Sequence, residues 1–166
     1  MKDYQKAFGD DENFHLLSFT VNPLGDGPEQ LRKFTETFKI EGDNWWFLTD
    51  QENPEAIEKY LTSQLRFEPI NDVPEADRLN DYDLFEHDMR LGLVDHQGNV
   101  RGLYQVLNAQ AGEIINEKLR KNIKTLLRES NEGNSGGIPP VVFYAIIVCA
   151  AMFVIGVSLL GKKSGQ

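Results

Sequence analysis

Residues Val141 to Leu160, VVFYAIIVCAAMFVIGVSLL, run for 20 positions without a charge. As a helix rising about 1.5 Å per residue, such a segment spans about 30 Å, the hydrocarbon thickness of a bilayer. It follows NEGNSGGIPP, a polar stretch closed by Pro139 and Pro140, and it ends in GKKSGQ, whose two lysines suit a headgroup region. The reading is a C-terminal transmembrane helix at 141–160, with a linker at 131–140 and a basic tail at 161–166. Membrane lipid is then a partner, through a single-pass anchor. The charge rule is nearly balanced between Lys162 and Lys163 on one flank and Lys121, Lys124 and Arg128 on the other. No N-terminal signal sequence is visible in the chain, which on its own suits a tail anchor with the domain in the cytoplasm.

Everything ahead of that run is acidic. All 26 Asp and Glu lie before residue 139, against 15 Lys and Arg, a net of −11. With no basic stripe, such a surface repels phosphate backbones and excludes nucleic acid as a partner. The one cysteine, Cys149, lies inside the apolar run, so the chain holds neither a disulfide framework nor a CxxC pair. No Ser-His-Asp arrangement, phosphate-cradling glycine loop or HExxH is present.

Residues 1–130 alternate helices and strands. MKDYQKAF reads as the tail of a helix. FHLLSFTV, Phe14 to Val21, is mostly apolar and uncharged, as in a strand buried on both faces. Pro28 opens a helix carrying Leu31, Phe34 and Phe38 on one face. WWFLT, Trp45 to Thr49, is a second short strand, its tryptophans packing core and edge. Asn53 and Pro54 read as cap and first residue of a helix bearing Ile57, Tyr60, Leu61 and Leu65. Phe67 to Asp83 reads as a long acidic loop. Leu91–Val94 and Val100–Tyr104 form a hairpin around DHQGN, with Gly98 taking positive φ. Ala111 to Glu129 is a helix with Ile115, Leu119, Ile123 and Leu126 on one stripe. The order implies an α/β layered domain. One element is wanting. A strand buried on both faces needs a neighbour, since hydrogen-bonding groups left unpaired in a core cost about 1–3 kcal/mol each. Nothing ahead of Phe14 supplies it, so the sheet is expected to be completed by another chain or by a segment encoded ahead of Met1.

His87 is the one histidine placed where a ligand would be useful, on the loop entering an apolar strand. His15 falls in the buried-looking strand and reads as structural, His96 in the hairpin turn as exposed. Glu68, Asp72, Glu75, Asp77, Asp81 and Asp83 crowd the loop before His87 and read as an ordinary solvated loop, the alternative being attraction of a metal cation or a basic partner.

FHLLSFTVNPLGDGPEQLRKFTETF, WWFLT and EHDMRLGLVDHQGNVRGLY, in that order, resemble the Sco/SenC family of copper-binding, thioredoxin-like assembly factors for cytochrome c oxidase. Ser18, Thr20, Val21 and Pro23 match the strand end of that family, and Asp26 and Pro28 match its turn. Asn22 and Gly27 replace its usual Asp and Thr. His87, Leu93, Val94, Asp95, Gly98 and Tyr104 match the later block. The resemblance implies a partial thioredoxin-like sheet with flanking helices, with copper as cargo. It also implies His87 as a metal ligand, Asp26 beside the metal site, and a cytochrome c oxidase subunit or another copper protein as donor or acceptor. It implies too that the domain faces the periplasm or the outside. The family's Cys-x-x-x-Cys-Pro would lie just ahead of MKDYQKAF. Cu(I) prefers thiolates, and one imidazole alone does not hold it tightly. Three functions fit: a membrane-anchored copper metallochaperone, a thiol–disulfide oxidoreductase on the same fold, and a tethered interaction domain that has lost the metal site. Of these, the metallochaperone is not an enzyme.

Overall fold

The structure, a computed structural model, describes residues 1–80, 83–133 and 145–151. The elements in chain order are α1 (Lys2–Phe8), β1 (Phe14–Thr20), α2 (Pro28–Thr37), β2 (Trp45–Leu48), α3 (Pro54–Ser63), β3 (Asn71–Asp72), a 3-10 turn (Glu75–Asp77), β4 (Phe85–Glu86), β5 (Leu91–Val94), β6 (Val100–Tyr104), α4 (Gly112–Gly133) and β7 (Ala145–Ala151). Five strands form the main sheet in the order β2-β1-β7-β5-β6. β1 runs parallel to β2 and β7, and β5 runs antiparallel to β7 and β6.

Alternation along β1 and β5 builds two cores, one on each face of the sheet. On one face Phe14, Leu16, Leu91 and Leu93 meet Tyr4 and Phe8 of α1 and Leu119 and Ile123 of α4. On the other face Phe19, Val21 and Val94 meet Ile57 and Leu61 of α3, with Leu65 and Phe67 beyond it. The i, i+4 spacing of Tyr4 and Phe8 turns both inward from α1. Asn116 of α4 accepts a 2.5 Å bond from the Tyr4 hydroxyl, and the Arg120 guanidinium lies 5.0 Å from its ring centre. α2 buries only Leu31, and Phe38 just past its end is 43% exposed. Tyr60, placed on the inner face of α3 by the sequence pattern, is 47% exposed. Asn53 stands at the cap position of α3 without a side-chain capping bond; its own N–H donates to Asp50 instead.

Four expectations differ from the structure. The neighbour missing from β1 is supplied by this chain: β7 pairs with all seven residues of β1 on one side and with the four of β5 on the other. Within the expected transmembrane helix at 141–160, residues 145–151 form a β-strand in this structure, while 141–144 and 152–160 lie outside the described residues. Among the described residues no helix is long and apolar enough to cross a membrane. The physical reason is that a strand buried on both faces and flanked by two others is itself a continuous apolar run. Ala145 to Ala151, with Ile146, Ile147 and Val148, suits that slot as well as it suits a helix. The third correction is to the loop at 67–83, which contains β3 and the 3-10 turn, β3 pairing with β4. α4 also runs on to Gly133, into the stretch read as linker, and residues 134–140 lie outside the described residues.

Candidate metal-ligand site

Ser18 of β1, Cys149 of β7 and Leu91 of β5 lie in one row across three strands. β1 and β5 run in opposite directions, so the chain leaves β1 and enters β5 at the same edge of the sheet. Two strand spacings, about 10 Å, separate these points. Asp26 follows the first and His87 precedes the second, and the topology thus gathers at one edge the two site residues that the sequence singled out.

The turn after β1 is built on Thr20, which is fully buried. Its hydroxyl donates to Asp26 Oδ2 at 2.5 Å and accepts the N–H of Asn22 at 2.9 Å. The N–H groups of Gly25 and Asp26 return to the Asn22 carbonyl at 3.0 and 2.8 Å. Partial burial raises the pKa of Asp26, and the single hydroxyl donor only partly offsets it. Thr20, Asn22, Ile57, Glu58, Asp72 and Phe85 line a cavity of about 290 Å³ beside this turn, which puts the strand leading to His87 in its wall.

His87 is half-buried between β4 and β5. Its Nδ1 stands 3.0 Å from the Asp88 carbonyl oxygen. A carbonyl only accepts, so as a hydrogen bond this contact puts the proton on Nδ1 and leaves the Nε2 lone pair as an acceptor. Among the described residues Nε2 makes no hydrogen bond. A ligand histidine commonly has this support, its other nitrogen donating to a backbone carbonyl.

Asp88 and Arg90 are the residues the sequence reading missed. The Asp88 side chain is 3% exposed. Its carboxylate accepts from Arg90 Nε at 2.9 and 3.0 Å and from Arg90 Nη2 at 2.5 Å. It also accepts from the backbone N–H of Arg90 at 2.9 Å and of Glu68 at 3.0 Å. Burial by itself would push this carboxyl up; the Arg90 fork and the two backbone donors outweigh it and hold the pKa below the ordinary value. The one local signal was an acid and an arginine two apart directly after the histidine.

The remaining candidates fall into structural roles. His15 lies against the Trp46 ring with centroids 4.7 Å apart and contacts the Glu12 carbonyl at 3.2 Å; burial lowers its pKa. His96 is exposed in the hairpin turn. That turn is organised by Asp95, which accepts the N–H groups of Gln97 and Asn99, with Gly98 at φ 83°. Trp45 Nε1 donates to Ser18 Oγ at 3.0 Å. In the acidic loop Asp83 accepts the Leu79 N–H and Glu68 pairs with Arg90, while Glu75 and Asp77 belong to the 3-10 turn; Asp81 lies outside the described residues. Among the described residues no three His, Cys, Asp or Glu groups are gathered as a metal-binding set. The described side chains include no thiol, and the sulfur nearest His87 in sequence is Met89, 53% exposed. They offer Cu(I) one prepared imidazole and do not close a site around it.

The SCO1/SenC family profile matches residues 1–124. The chain is 33% identical over 119 residues to the SCO1 protein homolog of Bacillus subtilis (strain 168). That match covers 70% of this chain and 58% of the relative, so the chain spans little more than half the length of that protein. No solved structure gives a significant match. A profile covering most of the chain, together with the shared order of strand, turn, histidine loop and hairpin, has one reading: the chain belongs to the SCO1/SenC family.

Proposed function

We propose that this chain carries the histidine half of a copper metallochaperone for cytochrome c oxidase assembly, with copper as its cargo. The observation that supports it is the imidazole of His87, fixed through Nδ1 on the Asp88 carbonyl with Nε2 left as donor. Imidazole completes a site for Cu(I), but two soft thiolates supply most of the affinity. In this reading the thiolates come from the Cys-x-x-x-Cys-Pro segment that the family carries ahead of the region resembling MKDYQKAF. Transfer to an oxidase subunit or another copper protein is then an exchange of ligands.

The same reading keeps 141–160 as a single-pass anchor, with the domain on the periplasmic or outer side and Lys162 and Lys163 in the cytoplasm. Anchoring requires β7 to leave the sheet. A strand preceding the cysteine motif would take its slot between β1 and β5. The uncharged length of 141–160 and the greater length of the Bacillus subtilis relative support this arrangement.

The test is a competition titration of Cu(I) against a chromophoric chelator, with and without glutathione as a thiol donor. Glutathione is expected to raise Cu(I) retention by the chain, and His87→Ala to abolish the gain while His96→Ala leaves it. Equal retention by His87→Ala overturns the reading. Because the described side chains hold no thiol, a chain that binds no copper under either condition is instead a tethered interaction domain.

A further inference from the structure

We propose that Asp88 is the positioning residue of His87: its carboxylate locks the loop to the core, and its carbonyl selects the imidazole tautomer. This deepens the copper reading and rests on it for its purpose, though not for its geometry.

Three observations carry it. The first is a turn. The Arg90 N–H donates to Asp88 Oδ1 at 2.9 Å, closing an Asx turn around the peptide that joins Asp88 to Met89. That peptide bears the carbonyl which accepts His87 Nδ1–H. The direction of this carbonyl is therefore set by the side chain of its own residue.

The second is an anchor. Asp88 Oδ2 accepts the N–H of Glu68, 20 residues earlier, and Arg90 Nη2 bridges Asp88 Oδ2 to Glu68 Oε1 at 3.3 Å. Glu68 follows Phe67, which is 4% exposed and packs on β5: a Cβ at Gly92 would stand 3.0 Å from Phe67 Cζ. The glycine lets the ring approach the strand, and the ring ties residue 68 to the core. The loop is thereby held at both ends, from β5 and from the segment beyond α3, as a ligand mount requires.

The third is how completely the carboxylate is used. Four N–H groups converge on a side chain that is 3% exposed, so both oxygens are committed to holding the loop. Asp88 acts on a metal only through His87.

The experiment is a long-range proton–nitrogen NMR spectrum of the His87 ring in metal-free full chain, in alkaline buffer where imidazole is neutral. The wild type is expected to show the Nδ1–H tautomer; a dominant Nε2–H tautomer overturns the proposal. Asp88→Ala, which removes turn and anchor together, is expected to shift the tautomer ratio toward Nε2–H by roughly fivefold, the worth of one ordinary hydrogen bond. Asp88→Asn, which keeps an acceptor for the Arg90 N–H, is expected to restore most of the wild-type ratio, a rescue that a merely structural role would not give. A ratio unchanged in Asp88→Ala overturns the proposal. Where Asp88→Ala does not fold, Arg90→Ala takes its place: it keeps the backbone turn and removes only the guanidinium fork, so, like Asp88→Asn, it is expected to keep most of the wild-type ratio. A shift of roughly fivefold in that variant would assign the positioning to the guanidinium and overturn the proposal. The ring is read without copper. A failed copper titration therefore leaves this result standing, and a failed tautomer result leaves the titration standing.

Discussion

Asp88 and Asp26 stand at the same edge of the sheet, one entering β5 and the other in the turn after β1. Asp88 is buried and Asp26 only half so. Burial alone would raise both pKa values. Instead Asp88 is held down and Asp26 is pushed up. The difference lies in the donors. Asp88 receives an arginine fork and two backbone N–H groups, and Asp26 receives one hydroxyl. The number and charge of donors outweigh burial. The first region is built to hold an ionised carboxylate, and the second leaves its carboxylate under-supplied beside an open cavity.

Truncation is the strongest way to break that contrast. Asp88→Ala leaves the Arg90 guanidinium and the Glu68 N–H without their acceptor. Because Arg90 is about one-third exposed, water recovers part of the loss, and we predict destabilisation of about 2–3 kcal/mol, read as a fall in the urea midpoint. Asp26→Ala removes one acceptor from Thr20 and is predicted to lose about 1 kcal/mol or less. Equal losses in the two variants would mean that donor count does not separate the two turns.

A smaller effect separates them by pH. The folded-state pKa of Asp88 lies below its unfolded value, so its contribution is fully present above the ordinary carboxylate pKa and is lost as pH falls through the folded value. Asp88→Asn is therefore predicted to be less stable than wild type by roughly 1–2 kcal/mol near neutrality, with the gap closing in acid. Urea midpoints taken from about pH 3 to about pH 7 read this directly. A gap that does not change with pH would show that the ionised form has no advantage there.

How much of this was legible depended on how local each feature is. β1, α3, the β5–β6 hairpin and α4 follow from short apolar patterns and from boundary residues such as Pro54 and Gly98, and each is present in the structure. The place of His87 on the loop entering β5 was legible because the strand pattern after it is plain, and its reading as a ligand came from the family resemblance. The Asp88 clamp was not, because DMR reads as two surface charges until the Glu68 N–H arrives from 20 residues away. β7 was the hardest. Its residues are equally apolar for a membrane helix and for a strand buried on both faces, and periodicity does not distinguish the two over so short a run. The missing partner of Phe14–Val21 located the slot, but pairing at that sequence separation left no local mark on the residues that fill it.

The smallest effect concerns Asp26. Its folded-state pKa lies above its unfolded value, so its contribution to stability is fully present below the ordinary carboxylate pKa and is lost as pH rises through the folded value. Near neutrality the ionised carboxylate is a mild liability, with only Thr20 to support it. Asparagine has the same shape, accepts the Thr20 hydroxyl through Oδ1 and carries no charge to desolvate. Asp26→Asn is therefore predicted to match wild type in acid and to exceed it near neutrality by less than about 1 kcal/mol, a slope opposite to that of Asp88→Asn. Loss of stability in Asp26→Asn at neutral pH would make Asp26 an ordinary turn residue. Of the two site residues named from the sequence, His87 alone would then keep a proposed role beside the metal.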